Sequence, residues 1–280
     1  MEKMDGKKIV LMMLAAMLML PMVAPVAADW HGGAALVLYR DAQGGWVQYD
    51  YKTSSNWSEF RANFAEEGWA VDFTRHVNLT LLLKYDALFV LTPVEDIPDD
   101  EARAIIKWVE DYHGQLVITQ NDNMTYADEI TAGWGIRWIS PGYTLWEIDT
   151  VADDDPITEG ITHVEGITAQ EMNVSSPAAE IGWDTEAGKY YVSPWRCYLA
   201  KVYPTTGADP GVVVAIGEEF MWENQFFNKW DNERLMDNIL AYFWKYCSIP
   251  EFSSVALPAI AMFGLIFLIS RRSRHSKGNS

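Results

Sequence analysis

Two kinds of apolar pattern alternate along this chain. Residues 34–39, 69–73, 86–91, 115–119 and 211–217 are short, mostly apolar runs and read as strands, those at 34–39 and 211–217 of the buried type. Between them apolar residues recur every three or four positions. Residues 56–67 set Trp57, Phe60 and Phe64 on one side of a helix that Gly68 stops. Asp99, Asp100 and Glu101 open a second helix, where acids suit the positive end of the helix dipole. Its stripe is Ala102, Ile105, Ile106, Val109 and Tyr112, with Gly114 as terminator. A short helix at 126–134 leads to a short strand at 136–138. A closing helix over 232–246 carries Leu235, Met236, Ile239, Leu240, Phe243 and Cys247 on its inner side. Residues 141–208 are less regular, with short strands at 171–174, 190–192 and 197–203. Strand–helix alternation predicts a three-layer α/β fold, a mostly parallel sheet covered by helices on both faces, with a partly β insertion.

The two ends follow other patterns. Lys3, Lys7 and Lys8 precede a nearly unbroken apolar run from Ile9 to Met22, and small residues then lead to Ala28. Positive start, short apolar core and small-residue site form the layout of a secretory signal peptide, with Val26 and Ala28 in the two small pockets of a signal peptidase and the cut after Ala28. At the other end an apolar stretch at 253–270 runs straight into Arg271, Arg272, Arg274 and Lys277. It is just long enough to cross a bilayer, which takes about 20 residues. The basic tail holds it at the cytoplasmic side and places the body of the chain outside. Three units are expected: a signal peptide at 1–28, an extracytoplasmic domain at 29–248, and an anchoring segment at 249–280.

Charge and cysteine content sharpen this picture. The chain has 39 acidic and 21 basic residues and a formal charge of −18. Seven of the bases belong to the signal and the tail, so the domain between is more acidic still. Such a field repels nucleic acid and keeps the domain soluble. Both cysteines, Cys197 and Cys247, lie in the exported part, where an oxidising exterior permits a bridge. Asn56, Asn78, Asn123 and Asn173 each begin an Asn-x-Ser/Thr sequon and are glycosylation candidates in an exported chain.

Two segments resemble known families. Pro250-Glu251-Phe252, the Val-Ala-Leu-Pro run at 255–258, the apolar stretch and the Arg cluster resemble the PEF-CTERM sorting signal of archaeal surface proteins. That resemblance implies processing by an archaeosortase-type membrane enzyme and attachment at the cell surface, with the span retained or exchanged for lipid. The run at 83–93, the acid-led helix, the Gly-led strand at 114–118, the loop at 155–161 and the closing strand and helix at 212–246 resemble the class I glutamine amidotransferase-like superfamily, in its non-catalytic branches. This second resemblance implies a flavodoxin-like fold.

Catalytic members of that superfamily carry a nucleophilic Cys at a sharp turn after a strand, with a His–Glu pair later in the chain. The corresponding turn here is Gln120-Asn121-Asp122, without Cys or Ser, and no Gly-x-Ser-x-Gly occurs elsewhere. The five His are scattered, no metal-ligand spacing is present, and Asp153-Asp154-Asp155 reads as a solvated turn. No cofactor or metal is expected. In open parallel sheets ligands bind beyond the carboxyl ends of the strands. That edge would carry Thr92, Glu95, Asn121, Asp122, Glu218 and Glu219, with Trp222 in an aromatic loop beside it. The expectation is a non-enzymatic, membrane-anchored surface module that binds a protein, glycan or envelope component. The alternative is a degenerate or unrecognised hydrolase with an acidic cleft at the same edge.

Overall fold

In a computed structural model of the chain, residues 33–39, 52–93, 96–120, 125–185, 196–205 and 211–247 are described. In chain order the elements are β1 (Ala34–Leu38), α1 (Ser58–Glu66), β2 (Ala70–Thr74), α2 (Leu79–Leu82), β3 (Ala87–Val90), α3 (Asp99–Tyr112), β4 (Gln115–Thr119) and α4 (Asp128–Thr131). There follow β5 (Ile136–Ile148), β6 (Thr150–Val151), β7 (Val164–Val174), β8 (Ala179–Asp184), β9 (Arg196–Val202), β10 (Val212–Ile216), α5 (Asn224–Phe227) and α6 (Asn232–Cys247). The strands form one ten-stranded sheet in the order β2-β1-β3-β4-β10-β9-β7-β5, with β8 joining β9 and β6 joining β8. From β2 to β10 the pairing is parallel; from β9 onward it is antiparallel. The expected mostly parallel sheet therefore makes up one half, and the irregular region from β5 to β9 is the β part.

Alternation of side chains along the strands splits the core in two. One face gathers Val37, Phe89, Val117 and Val214 under α1 and α6. The other gathers Leu36, Leu88, Leu116 and Val213 under α2, α3 and α4. A sheet apolar on both sides must be covered on both sides, which explains the continuous apolar strands in the sequence. On the first face Phe60, Phe64, Phe89 and Trp222 form one aromatic cluster. Phe64 meets Phe89 edge-on at 5.1 Å, and Phe60 stacks on Trp222 at 5.7 Å. Such pairs contribute about 0.5–1.5 kcal/mol each beyond the area they bury.

Several boundaries differ from the sequence expectation for identifiable reasons. Helix α3 ends in a left-handed residue, but that residue is His113 at φ 60°, not Gly114. Gly114 is needed for a different purpose: a Cβ there would lie 2.3 Å from the Trp108 indole, which packs over the helix end. Trp108 also displaces Tyr112 from the buried stripe, and Tyr112 stands exposed. Helix α2 went unanticipated. It is a single turn whose N-cap is Asn78, the side chain accepting from Leu81 N at 2.9 Å. Strands β5 and β7 are longer than expected, and β6 and β8 were not anticipated. Asp153-Asp154-Asp155 is not wholly solvated, because Asp155 pairs with the nearly buried Lys201 and caps Ile157 N at 2.9 Å.

The expected signal peptide at 1–28, the strand at 190–192 and the apolar segment at 253–270 lie outside the described residues. Among the described residues no helix is long and apolar enough to cross a membrane.

Candidate functional site

Parallel strands end together, and here β3, β4 and β10 end side by side. Val90 is in register with Ile118, and Thr119 with Ile216. The residues just past those positions make a buried polar cluster of Thr92, Thr119, Gln120, Glu218 and Glu219. Glu218 and Glu219 are both 0 % exposed, which is rare for carboxylates unless they are bonded.

The bonds follow one polarity. Thr92 N donates to Thr119 Oγ1 at 2.9 Å, and the two hydroxyls lie 3.2 Å apart. The Thr92 hydroxyl donates to a Glu219 oxygen. A hydroxyl has one proton, so Thr119 must donate to Thr92 while Thr92 donates to Glu219. The relay ends on an acceptor, as a carboxylate requires. Thr92 itself has φ 33°, a left-handed conformation that side chains with a branched Cβ rarely adopt. Holding it there costs on the order of 1–3 kcal/mol, and the paired neighbours supply the constraint.

Glu218 turns the other way and accepts from Ile167 N of β7 at 3.0 Å. The close approach of β7 depends on Gly217. A Cβ at that position would lie 2.8 Å from Gln170 O and 2.9 Å from the Tyr198 ring. Gln170 N donates to Gly217 O at 2.9 Å, and its side-chain amide donates to Ile139 O beside the irregularity in β5.

Gln120, the first residue after β4, is fully buried. Its amide donates to Pro93 O at 3.3 Å and its carbonyl oxygen accepts from Ala127 N at 3.1 Å. Such a side chain ties the loops after β3 and β4 together. Glu95, Asn121 and Asp122 lie outside the described residues. Trp222 corrects an expectation. It does not line the edge as an aromatic contact surface but is 0 % exposed, stacked within the core cluster.

At its other end the chain carries a separate determinant. Residues 249–273 match the PEF-CTERM archaeal protein sorting domain. The sorting domain implies anchoring at the cell surface and processing by an archaeosortase-type enzyme. No curated protein matches the chain in sequence. Solved structures match the domain instead. The N-terminal domain of mmIFT52 superposes with TM-score 0.60 at 13% identity, over 75% of this chain and 97% of that one. A ThuA-like protein from Bacteroides uniformis gives 0.54 at 11%, over 79% and 94%. Glutamine amidotransferase folds are among the neighbours too, one from Thermotoga maritima at TM-score 0.47 and 8% identity, over 75% and 97%. Likeness at such identities is a likeness of fold.

Further groups stand apart from the strand edge. Cys197 is a free thiol, 3% exposed, and burial pushes its pKa up, which favours the protonated thiol over the thiolate. The expected bridge to Cys247 is not made by this thiol. Cys197 packs on the face covered by α3, whereas α6, which carries Cys247, covers the opposite face. The side chain of Cys247 is outside the described residues.

Among the described residues one trio could offer oxygens to a divalent cation: Glu147, Asp149 and Asp184, whose ligand atoms lie within 4.8 Å of one another. Asp149 is already engaged, accepting from Thr185 N at 3.0 Å and Thr185 Oγ1 at 2.6 Å. Burial would raise its pKa, but these bonds outweigh it and hold the group below the ordinary value. His163 joins this neighbourhood, its ring nitrogens 3.4 Å from Glu147 and 3.2 Å from Glu165. Lone histidines in sequence gave no sign of that contact, which long-range pairing of β5 with β7 creates. Of the sequon residues, Asn56, Asn78 and Asn173 are exposed, and Asn123 is outside the described residues.

Proposed function

We propose that the chain is a non-enzymatic module displayed on the outer side of the cell membrane. Residues 1–28 direct export and are removed by signal peptidase, residues 29–248 are the extracytoplasmic domain, and residues 249–280 sort and anchor it. The segment 253–270 spans the bilayer, with Arg271, Arg272 and Arg274 inside, until any exchange for lipid. The ligand of the domain is a protein, a glycan or another envelope component. Asn56, Asn78, Asn123 and Asn173 are candidate glycan attachment points on this exposed domain.

One observation carries the non-enzymatic reading: the described polar groups at the strand edge are bonded within the domain. Glu219 accepts from Thr92, Glu218 from Ile167 N, and Gln120 bridges Pro93 to Ala127. A general base must reach a substrate proton or a water at about 2.6–3.2 Å, and fully buried, bonded carboxylates are poorly placed for that. The purified full chain, screened against amide and ester substrates, is expected to show no turnover above buffer. It is also expected to bind isolated cell-envelope material saturably. Turnover abolished by Glu219→Gln or Asp122→Asn would refute the reading. The second reading, a hydrolase with an unrecognised acidic site, is favoured by the left-handed Thr92 beside Glu219, since backbone strain concentrates at functional sites. The same screen separates the two.

A further inference from the structure

Among the described residues six large hydrophobic side chains stand exposed: Leu83, Tyr112, Ile139, Tyr203, Trp230 and Trp244. Scattered singly, such residues need no explanation. Four of these six share one end of the domain. Leu83 caps α2 just ahead of β3, where Asp86 N donates to Ala34 O and the Asp86 carboxylate accepts from Ala34 N, each at 2.8 Å. Tyr112 is the last residue of α3, shortly before β4 begins. Tyr203 follows Val202, which pairs with Val213 at the start of β10. Trp244 lies in the last turn of α6, and Tyr242 of the same turn meets Tyr203 hydroxyl to hydroxyl. All four therefore lie at the amino edge of the parallel strands. Ile139 and Trp230 lie at the opposite end, Ile139 bonded to Gln170 beside Gly217 and Trp230 just ahead of α6.

The chain leaves the domain at that same amino edge. Helix α6 ends at Cys247, and the match to the sorting domain begins at residue 249. Pro250 is at most ~10 Å of extended chain beyond Cys247, and Val255, where the unbroken apolar run begins, at most ~28 Å. The edge is held within that reach of the bilayer whether the apolar run is kept or exchanged for lipid near Pro250.

We propose that Leu83, Tyr112, Tyr203 and Trp244 form a membrane-facing surface that rests in the lipid headgroup layer. The carboxyl-edge cluster is thereby turned outward, about 24 Å away along α6. The proposal rests on the anchoring stated above. Tyr and Trp prefer this layer because each has an apolar body and a polar tip. Two exposed cations, Lys84 beside Leu83 and Lys245 beside Trp244, suit anionic headgroups that the acidic domain would otherwise repel. A short tether also raises the local concentration of the edge at the bilayer to the millimolar range, so weak partitioning by each ring suffices.

Collisional quenching tests this orientation. The full chain carrying Cys247→Ser, with one fluorophore attached at Tyr203→Cys, Trp244→Cys or Trp230→Cys, is reconstituted into vesicles containing headgroup-spin-labelled lipid. Several-fold stronger quenching at 203 and 244 than at 230 is expected. Tyr112→Cys provides a further reporter on the same edge should either of the first two misfold. Equal, weak quenching at every position in a chain that floats with the vesicles would overturn the orientation and leave the anchoring intact. A chain that does not float with them would overturn the anchoring, and the orientation with it.

Discussion

Thr119→Val removes one oxygen from the centre of the strand-edge relay while keeping the shape of the side chain. Three consequences follow. The Thr92 N–H, bonded to Thr119 Oγ1 at 2.9 Å, loses its acceptor at a residue only 3% exposed. An orphaned buried donor costs about 1–3 kcal/mol. The Thr92 hydroxyl also loses the donor that completes its pair. Burying a methyl in place of a hydroxyl offsets part of this, because Thr119 is itself fully buried. The net destabilisation is about 2 kcal/mol. For a domain of this size that lowers Tm by about 4–8 °C, or the urea midpoint by roughly 1 M at a slope near 2 kcal/mol/M. Thr119→Ser keeps the oxygen and should lose less than about half as much. The assay is urea unfolding of the full chain in detergent, followed by tryptophan emission. If Thr119→Val unfolds within about 0.5 kcal/mol of the parent, inside the usual spread for surface changes, the relay does not hold the edge. Equal losses in the Val and Ser variants would sink the argument in another way, since the oxygen would then not be what matters.

Two further outcomes are expected. Asp231 accepts from Thr162 N at 2.7 Å, Thr162 Oγ1 at 2.9 Å and His163 N at 3.0 Å; burial would raise its pKa, but these bonds prevail and lower it. A carboxylate with a depressed folded pKa adds stability above its unfolded value and loses it as pH falls through the folded one. Asp231→Asn should therefore destabilise at pH 7, and its deficit relative to the parent should shrink below about pH 4; a deficit independent of pH, read from melts across that range, would count against the charge. Cys197 should resist a thiol reagent in the native chain carrying Cys247→Ser and react fully once unfolded in urea. Rapid native labelling of that variant would show that the sheet face over Cys197 opens.

What sequence determined here is what depends on local pattern. The parallel strands β1, β3, β4 and β10 and the long helices were legible because a strand covered on both faces has to be apolar throughout, and an amphipathic helix has to repeat every three or four residues. The sorting segment was legible because its elements are contiguous. The buried state of Trp222, the length of β5 and β7, and the contact of His163 with Glu147 were not, because each is decided by a partner distant in sequence. Glu218 and Glu219 looked like ligands for a cleft since charged residues are ordinarily exposed. Tertiary structure decided otherwise by bringing Thr92 and Ile167 N to them, from strands more than 50 residues away. His113 and Gly114 exchange roles for the same reason: the turn is local, but the Trp108 ring that occupies the space beside Gly114 is fixed by packing on the sheet. Local propensity names the elements, and only the burial of side chains against distant neighbours says which polar groups remain for function.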